Sequence, residues 1–181
     1  NEHGEIVPAN ILNELNKLAL ETISHTFEES TVKDGMDIAF CSMDFSNREL
    51  QFSAAYNPLY IIRMESEGTS SSIEPSMNSG TVRQTANGYN LIEIKTNKFP
   101  IGVFEGRDVE SFTNHMIQLQ KGDIIYIFSD GYVDQFGGAK GKKYMARRFR
   151  EQLLNIQELT MEEQRKHLDK TIEDWRGTLD Q

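Results

Sequence analysis

The chain has 181 residues, enough for one domain with a sizeable core and few for two. Acidic residues outnumber basic ones 28 to 19, and the resulting charge of −9 disfavours nucleic acid or an anionic membrane as the main partner. A hydrophobic share of 38% excludes general disorder, and the single cysteine, Cys41, excludes an internal disulfide and fits a reducing cytoplasm. No apolar run reaches the roughly 20 residues of a membrane-spanning helix. The opening NEHGEIVPAN has neither the cationic start nor the apolar core of a signal peptide, and without an initiator methionine it points to a longer parent.

In chain order, Ile11, Leu12, Leu15, Leu18, Ile23 and Phe27 recur at three- and four-residue steps, which predicts an amphipathic helix over 8–28 with Pro8 in its first turn. After the turn KDGMD come three candidate strands, IAFCSMDF (38–45), ELQFSAAY (49–56) and LYIIRM (59–64). Their tight connections predict an antiparallel meander. Residues 65–88, rich in Ser, Thr, Gly and Asn, read as an exposed loop or long hairpin tip. NLIEIKT (90–96) and SFTNHMIQLQ (111–120) read as strands, and Lys121-Gly122-Asp123 as a turn into the apolar strand IIYIFS, so that the strand block runs over 38–130. Two helices follow within 142–176: KKYMARRFREQLLNI (142–156), and a second whose start is marked by the capping box of Thr160 and Glu163. A helix, a block of strands and a closing pair of helices make an α+β layered domain, read as a single unit over 1–181.

The sharpest chemical signal is Ser129-Asp130-Gly131, where a strand of five apolar residues ends on a carboxylate. A strand that apolar is expected to be covered on both faces, and a charge beside its core costs several kcal/mol, roughly, unless amides, a basic group or a metal ion compensate. Gly131 permits unusual φ and close approach of a ligand, and Asp134 brings a second carboxylate within a turn. Mn²⁺ and Mg²⁺ take oxygen ligands of this kind. Asp-Gly is also a common turn dipeptide, so from the dipeptide alone a capping turn is the simpler account.

The blocks DGMDIAFCSMD, LQFSAAYNPLYIIR, FPIGVF and LQKGDIIYIFSDGYVDQFGG, in that order and spacing, resemble bacterial serine phosphatases of the phosphatase 2C type, in the branch of stage II sporulation protein E. The resemblance runs from about Pro8 to the end. It implies an α-β-β-α sandwich of two antiparallel sheets flanked by helices, here incomplete at both ends. It further implies two Mn²⁺ or Mg²⁺ ions and a bridging hydroxide that attacks phosphoserine or phosphothreonine, with Asp130 as a metal ligand. The partners it implies are an upstream sensory region and a phosphorylated regulatory protein, such as an anti-sigma-factor antagonist; a membrane tether, where the parent has one, belongs to that upstream region.

Two blocks of the pattern are missing: the Asp-x-x-Gly-His-Gly segment before the first helix, where only NEHGEIVPANIL stands, and the Asp-Asp strand after WRGTLDQ. His3-Gly4 reads as a chance pair, and Asp180 has no strand behind it. One carboxylate cannot hold two divalent ions tightly, so weak or absent hydrolysis is expected of these 181 residues and full activity of the parent. Open sheet edges would then invite a homodimer or strand exchange. The rival reading is a degenerate phosphatase fold kept as a protein-binding or dimerisation module.

Among the remaining residues, Asp34 and Asp37 flank Gly35-Met36 and either line the metal edge or form a turn, the turn being favoured. Asp134 either stands behind the metal ligands or caps the next segment. Residues 137–143, GGAKGKK, are either a flap whose lysines meet a phosphoprotein or a solvated loop, the latter being simpler. Arg147, Arg148 and Arg150 read as a wet helix face, Trp175 as core and Cys41 as a small buried group. His3, His25, His115 and His167 have no ligand spacing, which argues against zinc.

Overall fold

In the computed structural model, which describes residues 6–26, 35–65, 80–102 and 111–178, Pro8 starts α1 (Pro8–Thr26) with its fixed φ suited to a first turn. The stripe Ala9, Leu12 and Asn16 is buried, with Leu15 and Ala19 half-buried beside it. Phe27 and Asp34 lie outside the described residues.

The strands follow as β1 (Gly35–Met36), β2 (Ile38–Asp44), β3 (Glu49–Ala55), β4 (Leu59–Met64), β5 (Gly80–Ala86), β6 (Tyr89–Ile94), β7 (Ile101–Gly102), β8 (His115–Gln118) and β9 (Ile124–Ile127). Then come α2 (Gly131–Asp134), β10 (Phe136–Gly137), β11 (Lys142–Lys143), α3 (Ala146–Asn155) and α4 (Met161–Arg176). One antiparallel sheet has the order β2-β3-β8, and a second has the order β5-β6-β4-β9.

Period-two alternation divides the side chains among three cores. Leu50, Phe52, Ala54 and Ile117 of the first sheet meet Leu59, Ile61, Ile92 and Ile94 of the second. The outer face of the first sheet carries Ala55 and the half-buried Ile38 and Phe40 against α1, Phe99 and Phe112. The outer face of the second sheet packs Tyr60, Ile62 and Leu91 under Phe149, Leu153, Leu154 and Ile156 of the α3 segment, with α4 beyond. The result is an α-β-β-α sandwich.

Three local expectations are corrected. The first three long strands are no meander: β4 leaves β3 for the other sheet, where it pairs with β6 and β9. Tyr56, at φ 60°, turns that corner, and Asn97 holds it by accepting from Tyr56 N at 3.0 Å and donating to Ala54 O at 3.2 Å. The stretch 65–88 is not loop throughout, because β5 pairs with β6 across Asn87-Gly88. Both turn residues have positive φ, 55° and 76°, the geometry that matches the right-handed twist of a two-residue hairpin. Residues 142–143 form β11 rather than helix, and α3 begins only at Ala146, after Met145 at φ 77°. β9, an edge strand, has apolar cover on both faces as expected, with Ile125 in the inter-sheet core and Ile124 and Tyr126 in the outer one, although its residues are only half-buried and Ile127 is 46% exposed.

Candidate active site

Two edge strands, one from each sheet, bring the acidic residues together. Asp37 directly precedes β2, and Asp130 lies three residues beyond β9. Asp37 is positioned by pairing of two distant sequence blocks: β1 and β7 are antiparallel, with Gly35 opposite Gly102 and Met36 opposite Ile101. A side chain at position 35 would place its Cβ 2.6 Å from Pro100 Cβ, so glycine is what lets the two blocks touch. Asn16, buried on α1, then accepts the Gly102 N–H at 2.8 Å and ties this ribbon to the helix layer. Sequence reading did not single out Asn16; its one signal is a polar residue on the buried stripe, four residues after Leu12.

Asp130 occupies the position preceding α2 with φ −67° and ψ −16°, and its side chain makes no capping hydrogen bond. The capping-turn account therefore fails. Its carboxylate has neither hydrogen bond nor ion pair among the described residues, and the same is true of Asp37. Both residues are exposed. Partial desolvation and, next, the charge of Asp130 hold the Asp37 carboxyl above its ordinary pKa. Two like charges are thus brought together, with no basic side chain paired to either among the described residues.

The rest of the strand offers a contrast. Asp123, at the opposite end of β9, has a side chain only 2% exposed and is gripped by Arg63, with Nε on Oδ1 at 2.8 Å and Nη2 on Oδ2 at 2.6 Å. It also accepts the Gln120 N–H at 2.8 Å. The carboxylate that the fold buries is fully partnered, and the one at the rim is bare.

The other candidates have surroundings of their own, Asp134 staying one helical turn from Asp130, to whose carbonyl its N–H donates at 2.9 Å. Asp134 does not cap; its Oδ2 takes Lys143 Nζ at 2.5 Å. Gly131 lies in ordinary helical backbone, so unusual φ does not explain it, and a Cβ there would meet only Ser129 Oγ at 3.5 Å. The residues 137–143 form the β10–β11 hairpin instead of an open loop. Of the three arginines, Arg147 and Arg148 are exposed, as expected, Arg147 with a side chain 84% exposed and Arg148 lying 4.3 Å from the Trp175 ring centroid, whereas Arg150 reaches inward to Tyr60 Oη at 3.5 Å. Tyr132, missed by sequence reading, anchors α2 by donating its one hydroxyl proton to Leu168 O at 2.9 Å, with Gln152 Oε1 at 3.0 Å as the alternative acceptor, and burial pushes its pKa up to about 12.

Asp37 and Asp130 supply the hard oxygen donors that a divalent cation takes, and their mutual repulsion is what such a cation would relieve. Among the described residues no group of three or more His, Cys, Asp or Glu surrounds that point.

A sandwich of two antiparallel sheets between helix layers, with acidic groups at the edge where both sheets end, is the phosphatase 2C fold. The chain belongs to the family Stage II sporulation protein E (SpoIIE), which matches residues 2–180, and so to the phosphatase 2C-like phosphatase domains. The SiaA-PP2C domain of Pseudomonas aeruginosa superposes with a TM-score of 0.70 at 23% identity, over 97% of this chain and 57% of that one. The chain therefore spans little more than half the length of that neighbour. The phosphatase domain of the cell fate determinant SpoIIE from Bacillus subtilis aligns over 99% of this chain and 71% of its own, at 12% identity and a TM-score of 0.43. No curated protein matches the chain. Among the described residues no helix is long and apolar enough to cross a membrane.

Proposed function

We propose that the chain forms the core of a bacterial metal-dependent protein phosphatase that hydrolyses phosphoserine or phosphothreonine on a regulatory protein, with Mn²⁺ or Mg²⁺ held at Asp37 and Asp130. The observation that carries this reading is the unpaired state of those two carboxylates beside each other, against the fully partnered Asp123 on the same strand. Divalent ions at such a site supply an activated water and positive charge for the phosphoryl oxygens. The chain's own part is to present the carboxylates rigidly: Tyr132 fastens the turn that carries Asp130, while Asn16 and Gly35 fasten the ribbon that carries Asp37. No side-chain nucleophile is called for. An anti-sigma-factor antagonist as substrate and a sensory region elsewhere in the protein complete the proposal, in keeping with the family.

The test is Mn²⁺ titration by calorimetry alongside hydrolysis of a phosphoserine peptide by the full-length protein. Asp130→Asn is expected to abolish the binding heat and lower kcat/KM by at least about 100-fold. Unchanged Mn²⁺ affinity in that variant would sink the assignment. The rival reading, a phosphatase fold retained as a binding module, draws on the absence of a third ligand among the described residues. Full-length protein that neither binds Mn²⁺ nor hydrolyses the peptide would establish it.

A further inference from the structure

The chain's acidic balance reverses directly after the first glimpse of the site. Residues 130–150 hold six basic side chains against two acidic ones, in a chain whose net charge is −9. Four of the six are already engaged. Lys143 is bonded to Asp134, Arg147 donates to Glu151 at 3.0 Å, Arg148 lies over Trp175, and Arg150 turns in toward Tyr60 and Glu93. Lys140 and Lys142 remain, both exposed and without an acidic partner among the described residues.

These two lysines are held on a pinned structure. Across the β10–β11 hairpin Phe136 faces Lys143 and Gly137 faces Lys142. Tyr144 N donates to Gln135 O at 2.9 Å, and Met145 N to Val133 O at 2.7 Å, so the returning arm is bonded to α2 and its end. From the other side Gly138 N reaches Trp175 O at 2.7 Å, and Trp175 Nε1 reaches Gln135 O at 3.0 Å. A Cβ at Gly137 would sit 1.9 Å from Trp175 O, so the helix end lies flat on the hairpin backbone. Two large apolar side chains, Phe136 and Met145, stand 54% and 58% exposed on the same segment. The hairpin is also close to the acidic pair: Asp134, which grips Lys143, is one helical turn from Asp130, about 6 Å along the axis.

We propose that this hairpin is the docking surface for acidic residues flanking the phosphorylated residue of a protein substrate; the proposal rests on the phosphatase reading above. Charge complementarity selects the partner: free ammonium groups on a pinned hairpin, in a chain of net charge −9, attract carboxylates and repel basic segments. Because the ribbon is already ordered, binding costs little conformational entropy on this side. An extended peptide advances about 3.3 Å per residue, so the recognised acidic residues lie about two to five positions from the phosphoresidue. Phe136 and Met145 offer apolar contact between them.

The experiment compares the full-length protein with its Lys140→Glu/Lys142→Glu and Lys140→Ala/Lys142→Ala variants. The probes are a phosphoserine peptide with acidic flanks, the same peptide with neutral flanks, p-nitrophenyl phosphate, and a fluorescent unphosphorylated acidic peptide read by anisotropy. Charge reversal is expected to raise KM for the acidic peptide, and Kd for the fluorescent one, about tenfold at low salt. The alanine pair falls between, and the difference shrinks at ~0.5 M salt. The neutral peptide and p-nitrophenyl phosphate stay within about twofold, since neither has a flank to dock. Acidic-peptide binding that is unchanged, or a loss of equal size on the neutral peptide, overturns the proposal. So does a loss confined to binding of phosphatidylserine-containing vesicles, measured by co-sedimentation as a further arm, which would make the hairpin a membrane contact. If even the unaltered protein fails to hydrolyse p-nitrophenyl phosphate with Mn²⁺, the phosphatase reading falls, while the anisotropy arm still decides whether the hairpin takes an acidic chain.

Discussion

Asp123 and Asp130 bracket the same strand, and their surroundings call for opposite responses to mutation. Asp123 is buried, and Arg63 neutralises it with a two-pronged grip. Replacing Arg63 with Met leaves an uncompensated buried charge, and a loss of about 3–5 kcal/mol is expected in urea unfolding. Asp130→Asn removes an exposed, unpaired charge, so its effect on the same curve stays within about 0.5 kcal/mol while Mn²⁺ binding disappears. Asp37 goes further. Its folded-state pKa is raised, so the metal-free protein loses stability as pH rises above the ordinary value of 3.8 and the carboxylate ionises beside Asp130. Asp37→Asn should therefore raise the melting temperature slightly at neutral pH without metal, and lower it relative to the unaltered protein once Mn²⁺ is added. His115 gives the opposite slope. Burial holds its pKa below the ordinary 6.5, partly offset by a hydrogen bond with the Lys95 backbone, and its Nδ1 is buried without a partner. The folded state thus favours the neutral ring. Its contribution is intact above pH 6.5 and is lost as the pH falls through the depressed value. A His115→Gln variant should flatten melting temperature against pH in that window; an unaltered slope would count against the assignment.

At the scale of elements, the segment from α2 to α4 behaves as one clamp on the site. Four residues of helix could not hold Asp130 in place alone, since so short a helix has little intrinsic stability. Tyr132 on Leu168 O, Met145 N on Val133 O and Trp175 Nε1 on Gln135 O supply the missing restraint. The glycines of FGG serve contact as well as turning: Gly137 meets the backbone of α4, and Gly138 has φ 66° with Trp175 stacked against it. Gly137→Ala is expected to cost on the order of 3 kcal/mol and to weaken Mn²⁺ binding at a distance, because the hairpin must shift to admit the methyl group. Thr160→Ala, which breaks the capping box with Glu163 at the far end of α4, should cost about 1 kcal/mol and leave metal binding unchanged. Calorimetry on the two variants separates a clamp from a general loss of stability.

Over the whole molecule, the two sheets share one apolar interior, and that sharing makes the site possible. Asp37 belongs to the first sheet and Asp130 to the second, so their separation is set by side chains such as Phe52, Ile61 and Ile94 that fill the gap between sheets. Phe52 is fully buried there. Phe52→Ala should destabilise by about 3–5 kcal/mol in a single transition seen alike by circular dichroism and Trp175 fluorescence, since the core that Phe52 fills is shared by both sheets. Two separate transitions would mean that the layers fold independently. As an edge strand, β9 leads the chain out to the rim of its sheet, where Asp130 stands exposed.

Local patterns carried much of this. Helical spacing along 8–26, the Thr160–Glu163 box and the apolar strand before Asp130 are visible in the sequence because each depends on residues a few positions apart, where chain geometry alone sets the neighbours. The Asn87-Gly88 hairpin was legible too, and was hidden only by the polar composition around it. What the sequence could not show is which strands meet. Residues 56–58 read as a simple break, whether the chain hairpins back or crosses to the other sheet, and only burial of both faces of β3 decides for the crossing. In the same way, the pairing of Gly35 with Gly102, the partnering of Asp123 and the isolation of Asp37 and Asp130 depend on groups tens of residues apart. Such contacts exist only once the two sheets have packed, because the packing brings the acidic residues together.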